Sequence, residues 1–286
     1  MKASNDVPIA APLLQSHDLS DEDFYLFQRF FHEKIGISLS KQKKILLLGR
    51  FNRRLNELGL SGFKAYFDII SAPENQIERQ CAIDLITTNE TYFFREDQHF
   101  SLLRDTIAAE KKSQAAGSET LSVWSAACST GEEPYSIAMT LHDALGADGW
   151  SIRASDISSR VLANARKGLF PMERVRGMPQ EYLKRYCLRG QGNFEGHLLI
   201  EKFLRDRIDF FQVNLMSLPP DLRNFDVVFL RNVIIYFDAP TKLKVLRSVI
   251  NTLRPGGWLL LGHSESLFGM DLPIRLISPS VYRKER

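Results

Sequence analysis

The chain is poor in cysteine. Its three cysteines, Cys81, Cys128 and Cys187, are scattered through 286 residues with no C-x-x-C spacing. That excludes a disulfide framework, argues against a zinc ribbon and fits a reducing cytoplasm. The six histidines include no H-x-x-x-H pair, so no metal site is expected. No apolar run approaches the ~20 residues of a membrane span. The opening stretch MKASNDVPIAAPLLQS has one lysine, an early aspartate and two prolines, which is not the form of a signal peptide. Charge of one sign is also missing: the formal net is +3, so any electrostatic partner must be met by a local patch. What is present is bulk, since 286 residues at 44% hydrophobic suffice for one large core and a smaller domain.

The most informative stretch is Leu121–Ser136, LSVWSAACSTGEEPYS. An apolar run from Leu121 to Trp124 reads as a buried strand, and Ser125, Ala126, Ala127, Ser129 and Gly131 make a small-residue turn. A helix follows with apolar Tyr135, Ile137, Ala138 and Leu141. Strand, tight turn and helix is how a doubly wound sheet opens an adenine-nucleoside site. The dinucleotide fingerprint needs three spaced glycines, and only Gly131 is here. Glu132 and Glu133 stand where a pyrophosphate would rest. Carboxylates repel phosphate but suit an ammonium or sulfonium, which argues against NAD and for S-adenosylmethionine. An ordinary turn with a solvated acidic pair is the plain alternative.

Residues 1 to about 18 lack apolar periodicity and read as a disordered tail. Ser20 with Asp21–Asp23 caps a first helix carrying Phe24, Phe27, Phe30 and Phe31, broken at Gly36. A second helix starts near Ser40. At 100° per residue Leu47, Leu48, Phe51, Leu55 and Leu58 fall on one face, and Lys43, Arg50, Arg53 and Arg54 on the other. Arg29 to Lys64 holds nine Lys or Arg against two acids, Glu33 and Glu57. This is either a solvated face or a dock for an acidic macromolecule. Short helices follow over Phe63–Ile70 and Glu74–Ile86. TTNETYFFREDQHF (87–100) is then dense in hydrogen-bonding groups beside aromatics. Residues 101–112 read as helical, and 114–119 as a polar connector.

Beyond the turn the expected order is helix 136–145, strand Trp150–Ala154 ending at Asp156, and helix 159–167. Asp156 can accept both hydroxyls of a ribose; the plain alternative is a cap for that helix through Asp156 or Ser158. Residues 170–207 break the alternation with Gly190, Gly192 and Gly196. They read as a small antiparallel insertion, either a surface embellishment or an edge that accepts a peptide strand. Strands are expected at Ile208–Asn214, Phe225–Leu230 and Trp258–Leu261, with helix 240–254 ending at Pro255-Gly256-Gly257. A closing hairpin is expected at Ile274–Ile277 and Val281–Arg283. His263, after the strand Trp258–Leu261, could serve function, but a structural, hydrogen-bonded histidine is the better reading.

TTNETYFFRE (87–96), AACSTGEEPYSIA (126–138), ASDIS (154–158), FLRNVIIYFD (229–238) and LRPGGWLLLGHSESL (253–267) together resemble the chemotaxis receptor methyltransferases, the CheR family. The resemblance runs from about Phe24 to Tyr282. It implies an α/β fold: a Rossmann-like S-adenosylmethionine-dependent methyltransferase domain with a small antiparallel β-subdomain insertion, preceded by an all-α N-terminal domain. The expected boundaries are a tail over 1–18, the helical receptor-docking domain over 19–88, a linker segment closing over the cofactor at 89–118, and the methyltransferase domain over 119–286, with the insertion at about 178–207. The implied activity is transfer of a methyl group from S-adenosylmethionine to glutamates on chemoreceptor cytoplasmic helices, leaving S-adenosylhomocysteine. The resemblance further implies cofactor contacts from Asn89, Thr91, Arg95, Glu133, Asp156, Asn214, Leu215, Arg231 and Asn232, with Arg95 and Tyr236 nearest the methyl. Of the two turn glutamates, Glu133 is the expected contact.

Lys43, Arg50, Arg53 and Arg54 would dock the acidic methylation helices. Gly190, Gly192 and Gly196 look like the hairpin that in many members binds a receptor C-terminal peptide, although His197-Leu198-Leu199 stand where an arginine is expected. A cytoplasmic monomer is expected, with neither nucleic acid nor membrane insertion. The rival readings are a nucleic-acid methyltransferase, disfavoured by the near-neutral charge, and a non-catalytic cofactor sensor, disfavoured by the presence of Arg95 and Tyr236.

Overall fold

The computed structural model describes residues 16–113, 120–175 and 177–285; residues 1–15 of the expected 1–18 tail and the 114–119 connector lie outside them. The chain divides into two compact units. One holds the residues up to Phe30 with Leu39–Ile86, the other Phe31–Ser38 with Thr87 onward.

The first unit is helical. In α1 (Asp21–Ile35) Ser20 caps the start, its Oγ accepting the Asp23 N–H at 3.0 Å. Phe27 is fully buried and packs against Phe51, Phe63, Tyr66 and Phe67 at 5.5–6.4 Å between ring centroids. Each such ring pair adds about 0.5–1.5 kcal/mol beyond area burial. These rings come from α1, α2 (Lys44–Glu57) and α3 (Phe63–Ser71), and α4 (Gln76–Ile86) completes the unit. The expected tail ends early: His17 and Leu19 are buried, and the His17 N–H donates to Asn52 Oδ1 at 2.9 Å. Leu47, Phe51 and Leu55 of α2 are buried as the wheel predicts, but Leu58 at the helix end is exposed.

The basic face of α2 needs correction. Arg50 donates to the carbonyls of Leu85 and Ile86 at 3.0 and 2.9 Å, satisfying the orphan acceptors at the end of α4. Arg54 makes a two-pronged pair with Glu78 of α4, its Nε at 2.9 Å from Oε1, and Tyr66 donates to the same oxygen at 2.8 Å. The guanidinium holds the Glu78 carboxyl below its usual range. Arg50 and Arg54 are therefore structural. Arg53 points to solvent, where it pairs with Glu57 at 2.9 Å, and Lys43 is half-buried.

The second unit is built on a seven-stranded sheet. After α5 (Gln98–Leu102), a π-helical stretch over Leu103–Ala108 and α6 (Ala109–Ser113), the chain enters β1 (Leu121–Ala126), α7 (Glu132–Leu145), β2 (Trp150–Asp156) and α8 (Ser159–Lys167). A small sheet intervenes, with β3 (Leu169–Pro171), α9 (Gln180–Tyr186), β4 (Cys187–Arg189), β5 (His197–Ile200) and α10 (Lys202–Arg205). The main sheet resumes with β6 (Ile208–Gln212), β7 (Phe225–Leu230), α11 (Ala239–Thr252), β8 (Leu253–Leu261), β9 (Ile274–Ser278) and β10 (Val281–Lys284). Strand order is β6-β2-β1-β7-β8-β10-β9. The first five run parallel, and β10 is antiparallel to both neighbours.

Alternation along the strands divides the core between two faces. Val123, Ile152, Val227, Phe229 and Leu260 pack with α7 and with Phe100, Leu103 and Ile107 on one side. Trp124, Val228, Leu230, Leu259 and Leu261 pack with Val245, Leu246, Val249 and Ile250 of α11 on the other. β8 starts at Leu253 rather than Trp258, because Pro255-Gly256-Gly257 lies inside an irregularly paired strand that skips register between Phe225 and Val227. The small sheet, ordered β3-β5-β4, begins at Leu169, ahead of the expected 178.

Candidate active site

In a parallel sheet the strands deliver their following loops to one edge. Here four adjacent strands do so: Asn214-Leu215 follow β6, Asp156 ends β2, the 127–131 turn follows β1, and Arg231-Asn232 follow β7. The turn is tight enough to need small residues. Ala127, Ser129 and Gly131 all have positive φ, and a Cβ on Gly131 would lie 2.9 Å from that of Ala165. Asp156 braces it: Oδ2 accepts the Ser129 N–H and Oδ1 the Ser158 N–H, both at 2.9 Å. The cap of α8 is Ser158, which accepts the Val161 N–H.

The adjacent glutamates of the turn are the first two residues of α7 and face different ways. Glu132 is completely buried, with Oε2 accepting from Thr130 Oγ1 at 2.6 Å and Oε1 from Arg174 at 3.0 Å. Glu133 accepts from Ser125 Oγ at 2.7 Å and from Arg231 Nη1 at 3.0 Å. Burial pushes Glu133 upward against the pull of Arg231. Glu132 is thus committed to Arg174, and Glu133 joins the strand edge.

Arg231 is the hub of that edge. Its Nη2 donates to the Arg95 carbonyl and, at 3.0 Å, to Glu96 Oε2. Its Nε–H is buried with no acceptor among the described residues. Asn232 has φ 57°, and its N–H donates to Glu265 Oε2 at 2.7 Å. Glu265 is buried and also accepts the N–H groups of Gly262 at 2.8 Å and Ile234 at 2.9 Å, which fixes the loop leading to Tyr236. Glu96 and Glu265 were not among the residues singled out from sequence. Both sit in loops without periodicity, and their only signal is membership of the TTNETYFFRE and GHSES strings.

Arg95 is half-buried, donates to the Glu90 carbonyl at 3.0 Å and lies over the Tyr92 ring at 5.7 Å. The Asn89 amide approaches Thr87 Oγ1 at 3.4 Å, and Thr91 is half-buried. Asn214 is held in place, its Nδ2 donating to the Lys34 carbonyl at 2.7 Å and its Oδ1 accepting the Met216 N–H at 3.0 Å. Leu215 is buried, and Tyr236 is half-buried at the end of a short 3-10 turn. Gly190, Gly192 and Gly196 form the β4–β5 connection; a Cβ on Gly190 would lie 2.0 Å from the Phe194 carbonyl oxygen. The structural reading of His263 fails: its ring is exposed and, among the described residues, it bonds through its backbone N–H, to Glu96 Oε1 at 3.1 Å. A cavity of about 830 Å³ at the opposite strand edge, bordered by Leu121, Asp226, Arg254 and Trp258, holds none of the expected site residues.

Two family models match the chain. The model of the CheR methyltransferase SAM-binding domain matches residues 89–282, and that of the CheR all-alpha domain matches residues 22–87. The chain belongs to the CheR methyltransferase family. It is 40% identical over 267 residues to a chemotaxis protein methyltransferase of Escherichia coli, covering 92% of this chain and 91% of that one. The Salmonella typhimurium protein of the same name is 38% identical over 282 residues, covering 98% and 96%. Chemotaxis protein methyltransferase 2 of Pseudomonas aeruginosa is 39% identical over 271 residues, covering 94% and 95%. This CheR protein is therefore an S-adenosylmethionine-dependent methyltransferase with an all-α domain ahead of a Rossmann-like one. Among the described residues no helix is long and apolar enough to cross a membrane.

The residues present fit that cofactor. A turn of small residues permits close approach, and the donor set is carboxylate (Glu133, Asp156), suited to an ammonium, a sulfonium and a pair of ribose hydroxyls.

Proposed function

We propose that this chain methylates glutamate side chains on chemoreceptor cytoplasmic helices, in the cytoplasm and as a monomer, for adaptation in chemotaxis. The observation that carries the reading is the carboxylate-lined turn at the ends of β1 and β2, tied through Glu133–Arg231 to the 95–96 segment. S-adenosylmethionine supplies a methyl group already activated by the sulfonium. In the transfer a carboxylate oxygen bonds to the methyl carbon, the carbon–sulfur pair returns to sulfur, and no proton moves. No general base is needed, and no residue at the edge has to act as one.

Asp156 would take the ribose hydroxyls, and Glu133 the methionyl ammonium. Asn89, Thr91, Asn214, Leu215 and Asn232 would complete the wall. Arg95 would release the Glu90 carbonyl and orient a carboxylate in two-pronged fashion, and Tyr236 would pack or donate beside the methyl. Opposite charges are neutralised in the reaction, so exclusion of water favours it. Lys43 and Arg53 would serve the acidic substrate helix, and the Gly190–Gly196 hairpin a receptor C-terminal peptide.

The test uses methyl-labelled cofactor with chemoreceptor cytoplasmic fragments, with and without their C-terminal tails. Base-labile label recovered as methanol is expected, and Arg95→Ala should nearly abolish it while leaving the thermal midpoint unchanged. Normal rates in that variant would remove Arg95 from the site. Label that is stable to base would refute carboxyl methylation.

A further inference from the structure

Glu96, His99 and His263 each offer a ligand atom to one spot, all within 4.8 Å of one another. They stand outside the residues assigned to cofactor or substrate, and they are 164 residues apart in sequence at their closest across the gap from His99 to His263. His99 is 2% exposed, and its Nδ1 has no hydrogen-bond partner among the described residues. The tautomer follows from Ser280. Its hydroxyl has one proton, and its shorter contact, 2.6 Å to the Pro279 carbonyl, takes it. His99 Nε2, 2.9 Å from the same oxygen, must then be the donor. Nδ1 is left with a lone pair aimed at Glu96 Oε2, 3.6 Å away. Two electron-pair donors face each other with no proton between them. Glu265 adds a further carboxylate directly beneath Gly262, next to His263. Against these stands one guanidinium, that of Arg231.

We propose that Glu96, His99 and His263 form a site for a divalent transition metal of the zinc class, one carboxylate oxygen and two imidazole nitrogens with a fourth position open to solvent. Such ions take that donor set at about 2.0–2.2 Å, placing the ligand atoms roughly 3.4 Å apart. The His99–Glu96 separation is already close to that. His263 is exposed, its ring centroid 5.5 Å from that of His99, and it closes the remainder by rotating. The expectation of no metal rested on helical H-x-x-x-H spacing. The spacing here is instead Glu96-x-x-His99 joined to a residue from the loop after β8.

The site has a consequence for its neighbour. Glu96 also holds Arg231, which holds Glu133. A metal drawing on Glu96 competes with that bridge, so metal and cofactor oppose each other reciprocally. This coupling rests on the proposed cofactor role of Glu133; the metal site does not.

The test is calorimetric titration of the full chain with zinc chloride, without cofactor, at neutral pH. One zinc per chain is expected, with affinity at least ~10-fold weaker in His263→Ala. That side chain lies outside the cofactor and substrate machinery, so basal methylation in chelator should be unchanged. Glu96→Gln should weaken zinc to a similar degree. No binding, or equal binding in both variants, overturns the site. S-adenosylmethionine titrations with and without zinc read the coupling separately. Weaker cofactor binding in zinc for the native chain but not for His263→Ala is expected, and no difference overturns the coupling. Failure to bind cofactor in chelator would count against the functional reading instead.

Discussion

Glu265→Gln isolates the support of the loop that carries Arg231, Asn232 and Tyr236. The carboxylate receives the backbone N–H groups of Asn232 and Gly262 at Oε2 and of Ile234 at Oε1, with Ile235 as a further backbone partner. Glutamine keeps the shape but replaces one oxygen by NH2. Its best placement keeps the amide oxygen on Asn232 and Gly262 and turns NH2 against the Ile234 N–H, donor facing donor. A buried N–H without an acceptor costs about 1–3 kcal/mol. Burial pushes the native carboxyl upward, a desolvation cost the neutral amide escapes, so the net falls toward the lower end. For a domain of this size the thermal midpoint should drop by roughly 2–8 °C, at about 2–4 °C per kcal/mol. Activity should suffer more than stability. Displacement of positioning groups by an ångström costs on the order of 100-fold, so kcat/KM for methyl transfer should fall about 10- to 100-fold. Label incorporation at varied cofactor concentration, beside thermal melts by circular dichroism, measures both. An unchanged midpoint together with an unchanged kcat/KM would refute this account of Glu265.

Two further outcomes concern the helical unit. Arg53→Glu should raise the KM for receptor without altering cofactor affinity or the thermal midpoint, whereas Arg54→Ala should lower the midpoint by stranding Glu78; steady-state kinetics and melts of the two variants separate docking from folding, and equal behaviour would defeat the distinction. The Glu78 carboxyl is held below its ordinary value of 4.5 by Arg54, so its contribution is complete above that value and is lost as pH falls through the lowered one. Melts taken between neutral pH and acid should show this loss, and Glu78→Gln should flatten that part of the profile.

Much of the fold was legible because it follows from period and punctuation. Ser20 ahead of three acids marked the start of α1, the apolar residues of Phe225–Leu230 marked a strand, and the Asp156–Ser158 stretch marked the start of α8. The edge residues before and after these strands were legible through the family strings. What the sequence hid was tertiary. A helical wheel places Arg54 on the polar face of α2, but the side chain meets Glu78, 24 residues on, because α4 packs alongside. Pro255-Gly256-Gly257 reads as a stop, yet the pairing slips past it and β8 continues. Glu265 lies in a loop whose pattern says nothing of its backbone N–H partners.

The adjacent pair Glu132-Glu133 shows how far a one-residue step matters at the start of a helix. Successive side chains there diverge by about 100°, so one carboxylate turns to Arg174 in the segment after β3 and the other to Arg231 after β7. The first ties the small sheet to the 127–131 turn; the second ties the turn to the 95–96 segment. Since Arg231 serves Glu133, Glu96 and the Arg95 carbonyl at once, these groups share a single cation. Substitutions among them must then be strongly non-additive. The loss of Glu133 leaves Arg231 more firmly on Glu96, and the loss of Arg231 strands two half-buried carboxylates together. The acidic turn that argued against a pyrophosphate is thus held by two guanidiniums, Arg174 on Glu132 and Arg231 on Glu133.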